Sequence, residues 1–301
     1  MNVTNSEINR SEKKVVRTEE KCGKNSSLKE WKKMKLYLAS TLCWHYPLEE
    51  VLKIAYETGF EGVEVWAEHV WFHETLPEKI KYTKEKYNLD LTFHAASWDL
   101  NLCSLNKGIQ LQSVKEVERS MELAKAIGAN NVTVSPGRRT LTSEWTPWHF
   151  ESLIQNLRFL ADRAQRLQIT LSLEHTKHER KEFMTHPISI NSILDHLPEK
   201  VMTTFDISNV PLYENPLVYY EKMKRINKIH LSDATTNTYH TPLGTGQIDL
   251  SSILPTILKT NAPIVMEGYD ESEGCEVLQA NLRYLYPYMP KEEIKSVQYI
   301  L

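Results

Sequence analysis

Eight apolar, β-prone segments alternate with helix-like sequence along most of this chain. The predicted strands are Leu36–Thr41, Gly62–Trp66, Leu91–His94, Val132–Ser135, Ile169–Glu174, Val201–Asp206, Ile226–Leu231 and Ile264–Glu267. Strands that alternate with helices pair in parallel. Eight strand–helix units favour a closed barrel over an open sheet. The pattern therefore predicts an α/β protein with a (β/α)8 barrel.

The intervening segments have the periodicity and the end signals of helices. They are Pro47–Thr58, Leu76–Tyr87, Lys107–Ile127, Pro147–Leu167, Pro187–His196, Pro216–Lys224, Asp249–Lys259 and Gly274–Leu285. Pro47 suits a first helical turn, and Gly59 and Gly128 suit positions just after a helix end.

The chain divides into a polar amino-terminal segment and one large domain. Residues 1–34 are rich in Lys, Glu, Asn and Ser and have almost no apolar periodicity, which predicts a disordered tail. Residues 35–301 are long enough for one barrel, which typically takes about 250 residues. Nothing in this region marks a second domain.

The composition narrows the class of protein. The formal net charge is −3, which lacks the strongly basic character of many nucleic-acid-binding proteins. The four cysteines are scattered without CxxC spacing, which indicates reduced thiols. No apolar run reaches the roughly 20 residues of a membrane span, and the amino terminus lacks a signal-peptide core. We therefore expect a cytoplasmic location.

Four successive predicted strands end in side chains that bind metals: Glu174, Asp206, His230 and Glu267. The carboxyl ends of parallel barrel strands meet at one mouth, where barrel enzymes keep their chemistry. Burying three carboxylates together is costly without a counter-ion, so the cluster implies a bound cation. Oxygen ligands with one imidazole suit a single divalent ion of Mn, Mg, Co, Fe or Zn.

Several further segments resemble the xylose isomerase-like TIM barrel superfamily, which includes sugar isomerases and epimerases, inosose-processing enzymes and endonuclease IV nucleases. The segments that carry the resemblance are Phe93–Leu102, Ser120–Arg138, Phe205–Asn209 and Tyr239–Asp249. The resemblance extends over about residues 35 to 288 and is strongest in the last third. It implies a xylose isomerase-like barrel with the metal at its mouth.

The sequence departs from the three-zinc pattern of the nuclease branch at three positions. Ser135 and Asn209 stand where that pattern has histidines, and Thr238 stands where it has an aspartate before the loop histidine. These departures leave ligands for one ion. Together with the acidic net charge, they argue against an endonuclease IV-type phosphodiesterase.

The resemblance implies chemistry beside a carbonyl group. It predicts a sugar or cyclitol (keto-polyol) isomerase or epimerase, in which carboxylates move a proton through a metal-stabilised enediolate. Glu174 and Glu267 are the predicted acid–base pair and also touch the metal. Asp206 and His230 are predicted to be ligands only.

Four residues are candidates for substrate binding, and each has a plain structural alternative. His94 would bond a substrate hydroxyl or support the metal, or be a half-buried histidine. Trp66 would cover a sugar face or simply pack. Arg138 would hold a carboxylate or phosphate, or lie on the surface. His240 would contact substrate or be solvated. A fifth residue, Asp233, would orient a ligand or bind backbone.

Two other functions remain open at this point. A dehydratase (lyase) of a keto-polyol such as an inosose would begin with the same proton abstraction. A non-catalytic sugar-binding or regulatory barrel would not need two carboxylates on one ion. The expected partner is a small-molecule sugar or polyol, with no nucleic acid and no membrane, and a homo-oligomer is possible.

Overall fold

A computed structural model describes residues 34–142 and 144–289 and confirms the closed barrel. Each strand pairs in parallel with the next, and β8 closes onto β1. The strands are β1 (Leu36–Ala39), β2 (Gly62–Trp66), β3 (Asp90–His94), β4 (Asn131–Val134), β5 (Thr170–Glu174), β6 (Met202–Asp206), β7 (Ile226–Leu231) and β8 (Ile264–Met266).

Nine α-helices lie within the described residues, and eight of them correspond to predicted segments. They are α1 (Leu48–Glu57), α2 (Ala67–Phe72), α3 (Pro77–Tyr87), α4 (Lys107–Ile127), α5 (Thr146–Leu167), α6 (Pro187–Leu194), α7 (Pro216–Lys222), α8 (Leu250–Ile257) and α9 (Glu276–Leu285). The remaining helix, α2, was not predicted from the sequence. This six-residue helix follows β2 directly, and Trp66 stands at its N-cap position in place of the Ser, Thr, Asp or Asn that usually marks a helix start.

Helix ends follow local backbone chemistry. Asn106 caps α4 by accepting hydrogen bonds from the backbone of Gly108 and Ile109. Gly128 ends the same helix in the left-handed conformation, with φ of 79°. The helix that precedes β4 therefore stops abruptly, and the chain turns into the strand.

The apolar core surrounds the barrel, and the barrel interior is largely polar. Outward-facing strand residues such as Val63, Val65 and Phe93 pack with the helices in one large cluster. Inside, Thr133 and Thr204 meet across the barrel at 2.8 Å, although β4 and β6 are not neighbours. Barrel interiors are more often filled by branched aliphatic side chains. This interior instead supports polar groups beneath the mouth.

Glu267 lies just beyond the end of β8. Its backbone N–H donates a hydrogen bond to the carbonyl oxygen of Leu231 at 3.0 Å, which continues the pairing with β7. The predicted tail, residues 1–34, lies outside the described residues except for Met34, which is buried against the core. None of the helices in the described ranges is long and apolar enough to cross a membrane.

Candidate metal centre

The structure brings the four sequence-predicted ligands together at the mouth of the barrel. Glu174, Asp206 and His230 are on β5, β6 and β7, and Glu267 follows β8. One potential ligand atom from each lies within 4.8 Å of the others, and all four side chains are buried. Across residues 34–142 and 144–289, this is the one group of at least three such side chains that converges in this way.

The contacts within the cluster fit a cation better than they fit a hydrogen-bond network. His230 Nδ1 lies 2.9 Å from Glu174 Oε1 and 3.0 Å from Glu267 Oε2. Yet His230 Nδ1, Asp206 Oδ2 and Glu267 Oε2 are buried and make no hydrogen bond of acceptable geometry. Buried polar atoms are normally satisfied. A divalent ion at their common centre would satisfy all three at once.

The charges of the cluster shift the affinity of its members for protons. Burial, with the nearby carboxylates of Glu267 and Glu174, raises the pKa of Asp206 to about 7. Burial alone would lower the pKa of His230, but the charges of Glu267 and Glu64 outweigh it and raise that pKa well above the usual value. The cluster therefore attracts positive charge strongly.

His94, at the end of β3, lies beside the cluster. Its Nε2 is 3.5 Å from Glu174 Oε2, and its Nδ1 lies 2.9 Å from the carbonyl oxygen of Ala95. Trp66 covers its ring in a stacked pair, with centroids 3.8 Å apart and planes 4° apart. Because the stack fixes the imidazole plane, His94 Nε2 is directed at the carboxylate. Trp66, at the end of β2, thus contacts His94 directly.

His240 approaches the cluster from the loop between β7 and α8. Its Nδ1 is 3.7 Å from Glu267 Oε2 and 3.1 Å from the hydroxyl oxygens of Ser208 and Ser232. The residue has φ of 55°, a left-handed conformation that the loop must hold in place. The side chain is about one-third exposed at 37%, so it faces both the cluster and the solvent.

Asp233 organises this loop and does not point at the metal centre. Its buried carboxylate accepts hydrogen bonds from the backbone N–H groups of Ala234, Gly244, Gly246 and Ile248. Of the two roles considered from the sequence, the structure shows the backbone one. The carboxylate stabilises the turn that carries His240.

Arg138 lies on the exposed rim of a cavity of about 280 Å³ that opens onto Glu174. Asn101 fixes its backbone, since the Asn101 side chain donates to the Arg138 carbonyl at 2.8 Å and accepts from the Arg138 N–H at 3.1 Å. Lys177, Tyr239 and His240 line the same cavity. This space next to the cluster is large enough for a small polyol.

Two residues of the site were missed by the sequence analysis. Glu64 on β2 lies 2.7 Å from His230 Nε2 and forms a buried ion pair with Lys228 on β7. Burial alone would raise the pKa of Glu64, but Lys228 and His230 hold it well below the usual value. The sequence signal was a single glutamate between two valines in the otherwise apolar strand β2.

Ser135 and Asn209, the positions that depart from the nuclease pattern, take other roles. Ser135 donates to Glu174 Oε2 at 3.3 Å, and Asn209 donates from its side chain to the carbonyl oxygen of His175 at 3.0 Å. Both residues line the cavity.

Characterised relatives of the chain include sugar epimerases. It is 22% identical over 245 residues to the fructoselysine 3-epimerase of Escherichia coli O157:H7, covering 75% of this chain and 86% of the relative. It is 25% identical over 228 residues to an uncharacterised protein of Methanocaldococcus jannaschii, covering 75% of this chain and 84% of that protein.

The fold is shared with solved structures. A crystal structure of a D-tagatose 3-epimerase-like protein superimposes with a TM-score of 0.72 at 22% identity, covering 88% of this chain and 99% of that one. A family model described as xylose isomerase-like TIM barrel matches residues 52–292. The chain therefore belongs to the xylose isomerase-like TIM barrel family.

Proposed function

We propose that this protein is a metal-dependent isomerase or epimerase of a sugar or cyclitol. One observation carries the proposal. The carboxylates of Glu174 and Glu267 approach a common centre from β5 and from the end of β8, with unsatisfied ligand atoms between them. Two carboxylates around one cation beside a cavity suit proton transfer next to a carbonyl group. The epimerase relatives support the same class of reaction.

Glu174, Asp206, His230 and Glu267 would hold the cation. When bound, a divalent cation supplies a Lewis acid that stabilises the negative charge which develops on the substrate oxygens as the carbon is deprotonated. Three carboxylates and one imidazole suit Mn, Mg, Co, Fe or Zn.

The two glutamates would move the proton. Burial would raise the pKa of Glu174, but His230 and His94 hold it well below the usual value. Burial would likewise raise the pKa of Glu267, but the charges of His230 and His240 outweigh burial and lower that pKa. Both side chains are therefore ionised at neutral pH, and either can accept a proton. One glutamate removes the proton from one face, and the other returns a proton to the opposite face.

The substrate would lie in the cavity between these glutamates and the rim. His94 and His240 would donate hydrogen bonds to its hydroxyl groups, since each lies within 4 Å of a proposed catalytic carboxylate. Trp66 would present its ring at the mouth, and Arg138 would bind the distal end. The proposed partner is a sugar or polyol and not a nucleic acid. Assembly as a homo-oligomer is a separate prediction that light scattering checks.

Metal analysis of the purified protein, followed by solvent deuterium exchange, tests the proposal. Ketoses and inososes are incubated with the protein in D2O, and incorporation is followed at the carbon beside the carbonyl by mass spectrometry and NMR. We expect a stoichiometric divalent metal and exchange with at least one substrate. Exchange without inversion or isomerisation, accompanied by a new enone absorbance, would identify a dehydratase instead.

A matched pair of variants separates catalysis from binding. Glu267→Gln preserves side-chain volume but cannot act as the base, so it should retain substrate binding and lose at least about 100-fold in exchange rate. Glu57→Gln makes the same chemical change on the exposed face of α1 and should exchange at the wild-type rate. If wild type binds the sugar but neither it nor Glu57→Gln exchanges, the protein is a binder.

A further inference from the structure

A buried ion pair crosses the barrel directly beneath the metal centre. Lys228 Nζ contacts Glu64 Oε2, and the side chains are 1% and 0% exposed. β2 and β7 are not neighbours in the closed barrel, so this pair spans its interior. Thr92 on β3 adds a hydrogen bond to the same glutamate oxygen at 2.9 Å.

The other oxygen of Glu64 faces the proposed metal ligand His230. Glu64 Oε1 lies 2.7 Å from His230 Nε2, while His230 Nδ1 faces Glu174 and Glu267. A neutral imidazole has one protonated and one unprotonated nitrogen. A carboxylate beside Nε2 favours the proton there, which leaves the lone pair of Nδ1 free for a cation.

The positive charge of Lys228 stabilises the ionised form of Glu64 inside the barrel. An unpaired buried carboxylate would be costly in a low-dielectric environment. The lysine compensates that charge from the side away from His230, and Thr92 restrains the carboxylate. The three side chains thus place one fixed negative charge behind the imidazole.

We propose that Glu64, held by Lys228 and Thr92, is a positioning residue that fixes the tautomer and orientation of His230 for cation binding. This inference rests on the proposed metal site. It adds that metal affinity is set partly by an ion pair that touches neither the cation nor the substrate. Partners behind a ligating histidine typically change metal affinity by about 10–100-fold.

The dissociation constant of Mn²⁺, read from the EPR signal of the free ion, tests this role without any substrate. The main variant is Glu64→Met/Lys228→Met, because replacing both charges with unbranched apolar side chains leaves no unpaired charge in the barrel. We expect Mn²⁺ binding to weaken by about 10–100-fold. The d–d spectrum of bound Co²⁺ should also change, since the ligand orientation is altered.

Two further variants distinguish positioning from general damage. Glu64→Gln/Lys228→Met restores an acceptor beside Nε2 and should recover part of the lost affinity. Thr133→Val changes the same interior, at a hydroxyl that pairs with Thr204 and does not contact His230, and should bind Mn²⁺ as wild type does. Wild-type affinity in the folded double-methionine variant, or equal loss in Thr133→Val, would overturn the proposal.

A measurement on the wild type covers the case in which the variants do not fold. Long-range ¹H–¹⁵N correlation spectra of the Mg²⁺- or Zn²⁺-loaded protein report which nitrogen of His230 carries the proton. Protonation at Nε2 is expected, and protonation at Nδ1 would refute the inference. If wild type binds Mn²⁺ but the variants match it, only the positioning role fails. If wild type binds no divalent ion, the proposed function fails with it.

Discussion

Glu174 and Glu267 approach the same atom: their carboxylate oxygens lie 2.9 Å and 3.0 Å from His230 Nδ1. The two glutamates come from different parts of the barrel mouth, so only the closed fold brings them together. A carboxylate oxygen of each glutamate lies within 4.8 Å of one from the other. Two buried carboxylates this close repel each other unless positive charge lies between them. The stability of the barrel and its metal content should therefore be linked.

Metal removal should lower the melting temperature, and Asp206→Asn should abolish the effect. Ligand binding to the native state stabilises it by about 2.7 kcal/mol at a free-ion concentration of 100 times Kd. Calorimetry with EDTA and then with excess Mn²⁺ measures the difference. Asp195→Asn, on the exposed end of an ion pair with Lys224, serves as the control and should keep the full metal-dependent increment. An unchanged increment in Asp206→Asn would remove Asp206 from the ligand set.

Asp233→Asn should destabilise the loop that carries His240. The carboxylate accepts four backbone hydrogen bonds, and an amide would turn donors toward some of those N–H groups. Each buried donor left unsatisfied costs about 1–3 kcal/mol, so we expect a loss of about 3 kcal/mol in urea denaturation. Asp162→Asn on the exposed face of α5 should change stability little.

Gly246→Ala should lower the melting temperature, which provides an independent check on the same loop. A Cβ at this position would collide with the Asp233 carboxylate and lie 2.5 Å from the Ala234 carbonyl oxygen. Gly274→Ala is the matched exchange, because the nearest atom to its added Cβ is 3.5 Å away on the Glu276 side chain. Equal melting temperatures for the two variants would show that the loop does not need this close approach.

Trp66→Leu should raise KM by about 10-fold, which corresponds to about 1.4 kcal/mol, and leave metal affinity unchanged. The tryptophan ring stacks on His94 at 3.8 Å, so its loss frees the imidazole that would contact substrate. Steady-state kinetics on the substrate found by deuterium exchange measure the effect. Tyr56→Leu, at an exposed tyrosine of α1 that stacks on Tyr87 of α3, is the control. A fall in kcat at constant KM would instead assign Trp66 to the chemical step.

Acid should destabilise the fold partly through His69. Burial lowers the pKa of His69 to about 4 in the folded protein, against about 6.5 when unfolded. Above pH 6.5 both states are neutral and His69 makes no difference. Between pH 6.5 and 4 the unfolded state binds the proton, so the free energy of unfolding falls by up to about 1.4 kcal/mol per pH unit.

His69→Gln should make that slope shallower, because glutamine keeps a donor for the Tyr46 carbonyl but does not titrate. Urea denaturation at several pH values between 7 and 4.5 measures the slope. A variant that loses stability with pH as steeply as wild type would show that other groups, such as His175, whose pKa is also lowered to about 4 by burial, dominate.

The positions of the strands were predictable because each is a short apolar run between helix signals. Gly62–Trp66 and Ile226–Leu231 were predicted with the observed bounds. The placement of the four metal-ligand candidates followed from strand order alone, since parallel strands end at one mouth. The short helix α2 was missed because it forms from tertiary contacts, such as the one between His69 Nε2 and the Tyr46 carbonyl oxygen.

The partners behind the ligands were not predictable in the same way. Glu64 and Lys228 are separated by 164 positions, and the sequence of neither strand indicates which residue its charged side chain pairs with. Polar residues at every second position of β3 and β5, and the lone glutamate of β2, do indicate a polar barrel interior, and this signal was available in the sequence. Which of those residues pair, however, depends on which strands lie opposite each other across the barrel.

The sequence alone determined the number of strands, their parallel order and the residue types at their carboxyl ends, because hydrophobic periodicity and chain connectivity are local properties. The tertiary structure alone decided that Trp66 stacks on His94, that Asp233 binds backbone and that Glu64 lies behind His230. These contacts depend on barrel closure, which brings distant residues within 4 Å of each other and buries them away from water. Only in that environment do unpaired ligand atoms become a site that attracts a cation.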